Sequence, residues 1–172
     1  MRISPATSQD LPAVIALYDR VSAAMEGSPH SARWRPGIYP AESDIRALID
    51  AGSLWLGWEG TSLVASYALD HNLGDYASYA WPTAVTPQDE LVIHLLCVDL
   101  DHRNHGLAKQ LVEHAISKAR ETGASVIRLD VIAQNLPAIK LYESHGFVNV
   151  GSVHTSYEGI GQLDFLLYEL AL

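Results

Sequence analysis

An apolar run from Leu91 to Val98, then Arg103-Asn104-His105-Gly106-Leu107-Ala108, then a helical stripe, constrains this 172-residue chain more than any other stretch. The run is short, apolar and bounded by polar residues, as a buried strand is. After the loop, Leu111, Ala115 and Ala119 fall on one helical stripe with Val112 and Ile116 beside it. The glycine stands where loop becomes helix. Such a junction turns unpaired backbone N–H groups outward, and the helix dipole adds partial positive charge. The segment therefore reads as an anion site with Arg103 at its mouth. By pattern alone, an ordinary strand-to-helix turn is the alternative.

The remaining elements follow from local signals. Arg2 to Pro5 reads as an edge strand. Thr7, with Asp10 three residues on, caps a helix whose apolar stripe runs Leu11, Val14, Ile15, Leu17, Tyr18, Val21. Ser28 to Pro40 is irregular and aromatic. Pro40 suits the start of a short helix that ends at Ala51-Gly52. Leu54 to Glu59 and Ser62 to Leu69 form a hairpin about Gly60-Thr61, and His71 to Gln88 is a long loop. After the central unit, Gly123 closes the second long helix. Val126 to Val131 is a strand, Leu136 to Ser144 a helix, and Phe147 onward and Leu163 to Leu170 are strands. The order βααβββαβαββ mixes hairpins with βαβ crossovers, so the expected fold is α/β (α+β): a mixed sheet with helices on both faces.

A formal net charge of −9 argues against a nucleic-acid partner, because that binding relies on Lys and Arg neutralising phosphates. It favours cationic small partners. Cys97, the lone cysteine, sits in the apolar run and reads as a buried inert thiol. No cluster of His, Cys and carboxylates has metal-site spacing, so no metal is expected. The N-terminus carries no signal-peptide pattern, and no apolar run nears the ~20 residues that span a bilayer. A cytoplasmic chain with no membrane partner and a single domain over residues 1–172 is the expectation. The apolar C-terminal strand either lies inside the sheet or offers a surface for a homodimer.

The second informative segment is Asn135-Leu136-Pro137-Ala138-Ile139-Lys140-Leu141-Tyr142-Glu143-Ser144-His145-Gly146-Phe147. Asn135 stands where its amide caps a helix or holds a ligand amide, and Tyr142 follows two helical turns later on the same side. Taken alone, Tyr142 reads as a packing tyrosine. Together the segments closely resemble the GNAT superfamily, amine N-acetyltransferases that use acetyl-CoA. Arg103 to Ala108 satisfies the family's Q/R-x-x-G-x-G/A motif. Asn135 to Phe147 matches N-x-x-A-x-x-L-Y-x-x-x-G-F at each defined position. The strong resemblance covers about residues 90–150.

That resemblance implies a mostly antiparallel sheet of about seven strands, splayed by a bulge between strands 4 and 5, with the acetyl group in the gap. It implies that Leu96, Cys97 and Val98 pair with the pantetheine arm, and that an N–H near Cys97 or Val98 polarises the thioester carbonyl. Arg103, Asn104, His105, Gly106, Leu107, Ala108 and Lys109 would cradle the pyrophosphate. Asn135 and Ala138 lie where the pantetheine is held, and Tyr142 would protonate the departing thiolate.

The acceptor ammonium must lose a proton before attack. Alternation puts Glu90, Val92, His94, Leu96 and Val98 on one strand face. His94 is the candidate base, since its ordinary pKa of ~6.5 suits the task. A sheet-packed histidine is its structural alternative. Glu90 is the second candidate, acting through water, or else an exposed strand-end carboxylate. Trp34, Tyr39, Tyr79 and Trp81 are candidate walls for the acceptor, or else packing aromatics of the two loops. An N-acetyltransferase acting on an amine-bearing small molecule is the leading reading. A protein N-terminus or lysine as acceptor, and a non-catalytic acyl-CoA sensor, are the alternatives. A P-loop hydrolase lacks the Gly-Lys-Ser/Thr ending.

Overall fold

The computed structural model describes residues 1–157 and 161–172. Seven strands form one sheet: β1 (Arg2–Pro5), β2 (Leu54–Glu59), β3 (Ser62–Asp70), β4 (Glu90–Val98), β5 (Val126–Ile132), β6 (Val148–Tyr157) and β7 (Gly161–Ala171). Their spatial order is β1-β2-β3-β4-β5-β7-β6. Only β4 and β5 run parallel; the other neighbours are antiparallel. The expected element order and mixed sheet are therefore present. The C-terminal strand β7 is paired on both edges, with β5 and with β6. It lies inside the sheet, and the ground for a homodimer through it falls away.

Two helical layers cover the sheet. On one face, α1 (Leu11–Ala24) and α2 (Glu42–Asp50) bury Val14, Leu17, Tyr18, Ile45 and Ile49 against Leu54, Leu56, Ala68, Leu95 and Cys97. The entry to α1 is capped as Thr7 and Asp10 foretold: the Thr7 N–H and hydroxyl both donate to the Asp10 carboxylate, at 2.8 and 2.7 Å. α2 begins at Glu42, two residues past Pro40, because the Asp44 carboxylate accepts the Ala41 N–H at 2.8 Å and sets the first turn there. On the other face, α3 (Leu107–Thr122) and α4 (Leu136–Glu143) pack Leu111, Val112, Ala115, Ala119 and Tyr142 against Tyr67, Ile127, Leu129 and Tyr168.

The sheet departs from ideal alternation inside β4. Ser66 pairs with Cys97 and Ala68 with His94, so Leu95 and Leu96 together oppose Tyr67. This is a β-bulge, with Leu95 at φ 53°. A bulge inserts one residue, and the faces exchange beyond it. Leu91 and Ile93 face the α3 layer, but so do Leu96 and Val98, whereas Leu95 and Cys97 face α1 and α2. Glu90, Val92, His94, Leu96 and Val98 thus do not share one face, as simple alternation predicts.

The long loop between β3 and β4 is tied over β5, β7 and β6. The Tyr79 hydroxyl donates to the Val150 carbonyl at 2.6 Å, and a side chain at Gly151 would overlap that hydroxyl. Below the loop, Arg128 is buried between Glu90 and Glu169, bonding the latter at 3.0 Å and the Thr83 carbonyl at 2.6 Å. The Trp81 ring stacks 4.6 Å from this guanidinium.

Candidate active site

β4 and β5 pair only from Glu90↔Val126 to Val92↔Arg128. Past that point the bulge turns β4 aside, while β5 stays in register with β7 as far as Ile132↔Phe165. A gap opens, and a cavity of about 680 Å³ occupies it. Its sides are Ile93–Leu96 of β4 and Asp130–Ile132 of β5. Trp34 and Tyr39 close it from the α1–α2 loop, Asn72–Tyr76 from the β3–β4 loop, and Asn135, Ala138 and Tyr142 from α4.

The main chain of β4 is directed into this gap. The Asp99 N–H donates to the Val64 carbonyl at 2.8 Å, so Asp99 and, by two-residue alternation, Cys97 face β3. The polar backbone groups of Leu96 and Val98 then face the gap, where β5 has moved away. Unpaired strand-edge groups of this kind suit an extended ligand rich in amides, such as pantetheine. Val98, not Cys97, aims an N–H at the gap. The Cys97 thiol is buried on the α1 side, which pushes its pKa up to about 12 and leaves it a poor nucleophile.

Beyond β4, Asn104 and Gly106 both hold left-handed backbone conformations, φ 65° and 73°, and Leu107 begins α3. Two such turns at a helix N-terminus gather N–H groups into an anion-binding concavity. A Cβ at Gly106 would meet nothing within 4 Å, so the backbone stands open for close approach. Leu107 itself is core, while Arg103, Asn104, His105 and Lys109 are exposed around the loop. The Arg103 guanidinium contacts the Met25 sulfur at 3.3 Å, which holds it beside the loop. Asn135 caps α4, its side-chain oxygen accepting the Ala138 N–H at 3.4 Å. Leu96, Asn135, Ala138 and Tyr142 line the cavity, whereas Cys97, Val98 and residues 103–109 are not among its lining residues.

Charge in the gap is concentrated on three strands. His94 Nε2 lies 3.2 Å from Asp70 Oδ1 and 2.9 Å from the Asn72 carbonyl. Burial opposes its imidazolium, but the Asp70 hydrogen bond and charge, the Asp130 charge and the Asn72 carbonyl outweigh that, and its pKa lies above the ordinary value. Burial works to raise Asp70, yet His94 and the Asn72 N–H hold it below the usual carboxylate range. Asp130 is raised: burial dominates, and His94 and a hydrogen bond from Tyr76 only partly offset it. The Tyr142 phenol is pushed well up by burial, with the Asp130 charge adding to it, so it stays protonated at neutral pH.

Of the residues singled out from sequence, Trp34, Tyr39, His94, Leu96, Asn135, Ala138 and Tyr142 meet at the cavity. Glu90 does not: its carboxylate is 5 % exposed and committed to Arg128, not a free strand-end group. Tyr79 and Trp81 lie off the cavity, Tyr79 held by Val150 and Trp81 by Arg128 and by its indole N–H donation to the Tyr76 carbonyl at 3.1 Å. Sequence reasoning missed Asp70, Asp130 and Tyr76. The signal for Asp130 was a carboxylate inside the otherwise apolar Leu129–Ile132 run, a placement that needs a partner or a function. Among the described residues, no group of three or more His, Cys, Asp and Glu is placed to hold a metal ion. Nor is any helix among them long and apolar enough to cross a membrane.

β4 and β5 splay around a cavity that the buried Tyr142 borders, and a left-handed, glycine-bearing turn leads into α3. Residues 15–147 match the Acetyltransferase (GNAT) family, and the chain belongs to that family. Among curated relatives, the ribosomal protein bS18-alanine N-acetyltransferase of Escherichia coli K12 is 36% identical over 84 residues, 49% of this chain and 55% of that one. Streptothricin acetyltransferase of Streptomyces lavendulae is 35% identical over 86 residues, 50% of this chain and 46% of its own. The chain spans about half the length of the curated relatives it matches. Among solved structures, an N-acetyltransferase from Staphylococcus aureus Mu50 superposes with a TM-score of 0.74 at 21% identity, covering 99% of this chain and 97% of that one. A Salmonella typhimurium protein solved with acetyl-CoA gives 0.73 at 21% identity, covering 100% and 94%. These two likenesses establish the fold.

Proposed function

We propose that this protein transfers the acetyl group of acetyl-CoA to the primary amine of a cationic small molecule, by direct attack within a ternary complex. The observation that carries the reading is the set of carboxylates that lines the cavity. Asp44, Asp70, Asp75 and Asp130 line the cavity with His94, against Arg33 as the cation among its lining residues. That field draws in an ammonium group, and the Trp34 and Tyr39 rings offer it aromatic faces.

Asp130 takes the proton from the ammonium, and His94, oriented by Asp70, lies beside it as the alternative acceptor. A carboxyl raised toward neutrality is a better base than an ordinary one. The freed amine attacks the thioester carbonyl, whose oxygen the Val98 N–H polarises. The C–S bond breaks, Tyr142 gives its proton to the departing thiolate, and the surplus proton left on the attacking nitrogen passes through solvent to the Tyr142 oxygen. The residues of the 103–109 loop, with Asn135, hold the cofactor. Buried Cys97 takes no acetyl group. The second reading, a protein N-terminus as acceptor, is favoured by the bS18-alanine relative. A screen of small diamines, aminoglycoside-like amines and N-terminal peptides with acetyl-CoA, reading released thiol, tests both. Release with small cationic amines supports the proposal, release with peptides alone supports the second reading, and CoA binding without acceptor-dependent thiol refutes both in favour of a sensor.

A further inference from the structure

Leu95 is a strand residue with φ 53°, a conformation a leucine adopts only where its surroundings impose it. Its carbonyl has left the β-ladder and accepts the Tyr18 hydroxyl at 2.8 Å. The Tyr18 oxygen also lies 3.3 Å from the Ser66 hydroxyl, on the β3 residue paired with Cys97. Tyr18, Ser66 and Leu95 are all buried, so solvent does not compete for this carbonyl. On its other side the Tyr18 ring meets Trp34 edge-on, with centroids 5.3 Å apart, and Trp34 closes the cavity. One side chain of α1 thus touches the bulge, the strand beside it and the aromatic wall.

We propose that Tyr18 is a positioning residue for acetyl transfer: its hydroxyl holds the β4 bulge and so aims the Leu96 and Val98 N–H groups into the gap. This rests on the acetyltransferase reading above. The two-for-one register opposite Tyr67 turns those groups from β3 toward the gap, and the displaced Leu95 carbonyl needs a donor for the register to persist. Without the hydroxyl, β4 gains by seeking another partner for that carbonyl, and the N–H groups shift with it.

Tyr18→Phe keeps the ring and its Trp34 contact and removes the hydroxyl alone. The expected result is a kcat lower by about 10- to 100-fold, as small misplacements of a reacting group produce. The KM for the amine should stay within about twofold, and CoA affinity should fall by much less than kcat, since the groups that shift would meet only the pantetheine arm while the 103–109 loop is left in place. In the free protein, amide hydrogen exchange at Leu95 and Cys97 should speed by at least about tenfold relative to β2. Ser66→Ala, which leaves the Tyr18–Leu95 bond in place, should show a much smaller change in both. Unchanged exchange at Leu95 and Cys97 in Tyr18→Phe overturns the proposal. So does a fall in kcat matched by an equal loss of CoA affinity, which would mark general loosening. If the wild-type protein acetylates no amine, the functional reading fails by itself, while the exchange measurement still decides whether Tyr18 holds the bulge.

Discussion

Replacing Asp130 with Asn tests the proposed proton transfer most directly. The substitution keeps the size and a hydrogen-bonding oxygen for Tyr76 but removes a charge that faces His94 and Tyr142. An acceptor with an ordinary alkylamine pKa of ~10.4 is neutral in only about one molecule in a thousand at pH 7.4. An enzyme stripped of its base must wait for that fraction, so kcat/KM should fall by about 10²- to 10³-fold at pH 7.4. The same argument fixes the pH profile. The variant should regain about tenfold per pH unit up to the amine's own pKa, while the wild type levels off earlier. His94 supplies an independent reading, because the Asp130 charge helps hold its pKa up. In the variant the His94 titration, followed by its ring-proton NMR shift, should move toward lower pH. A variant within about threefold of wild type at pH 7.4, with an unchanged His94 titration, would refute the assignment of Asp130 and leave His94 or water as base.

Tyr142→Phe should lower kcat by about 10²-fold or more with CoA affinity nearly unchanged, measured by steady-state kinetics beside calorimetric CoA binding; equal losses would assign Tyr142 to binding. Arg128→Ala strands Glu90 and Glu169 in the core and should cost about 3–5 kcal/mol in urea unfolding at neutral pH. His94, with its pKa raised, contributes stability fully below about pH 6.5 and loses it as pH rises through the folded value. Asp70, with its pKa lowered, contributes above about pH 4 and loses it as pH falls through its own folded value. His94→Ala should therefore shift the urea midpoint more at pH 5.5 than at pH 9. Gly106→Val, which forces a β-branched residue to φ 73° and fills the open approach, should abolish CoA retention on an affinity column while far-UV circular dichroism stays unchanged.

Much of the architecture was legible in the sequence because its signals are local. The stripe from Leu11 to Val21, the Thr7–Asp10 cap, the Gly123 stop and the Asn135 cap each act within one or two turns of chain, and each element formed where its signals stand. The two motif segments likewise carried the glycine-bearing turn into α3 and the buried tyrosine. Distant partners were not legible. Glu90 looked like a free carboxylate because its partner Arg128 lies 38 residues further along, where Arg128 is shared with Glu169 through a sheet order that sets β7 beside β5. Tyr79 and Trp81 looked like pocket walls because nothing near them in the chain announces Gly151 or Arg128 as their contacts.

Sequence by itself determined the order of strands and helices, the glycine-bearing anion loop and the Asn135–Tyr142 spacing, since each depends on periodicity, turn chemistry or capping over a few residues. Tertiary structure alone decided which of those residues meet. One extra residue at Leu95 reverses the side chains after it along a strand whose period is two, sending Cys97 to the α1–α2 face rather than the α3 face, at the point where β4 and β5 part. The same folding brings Asp70, His94 and Asp130 together from three strands around that gap. A carboxylate's neighbours set its proton affinity, and those neighbours exist only after the sheet has formed.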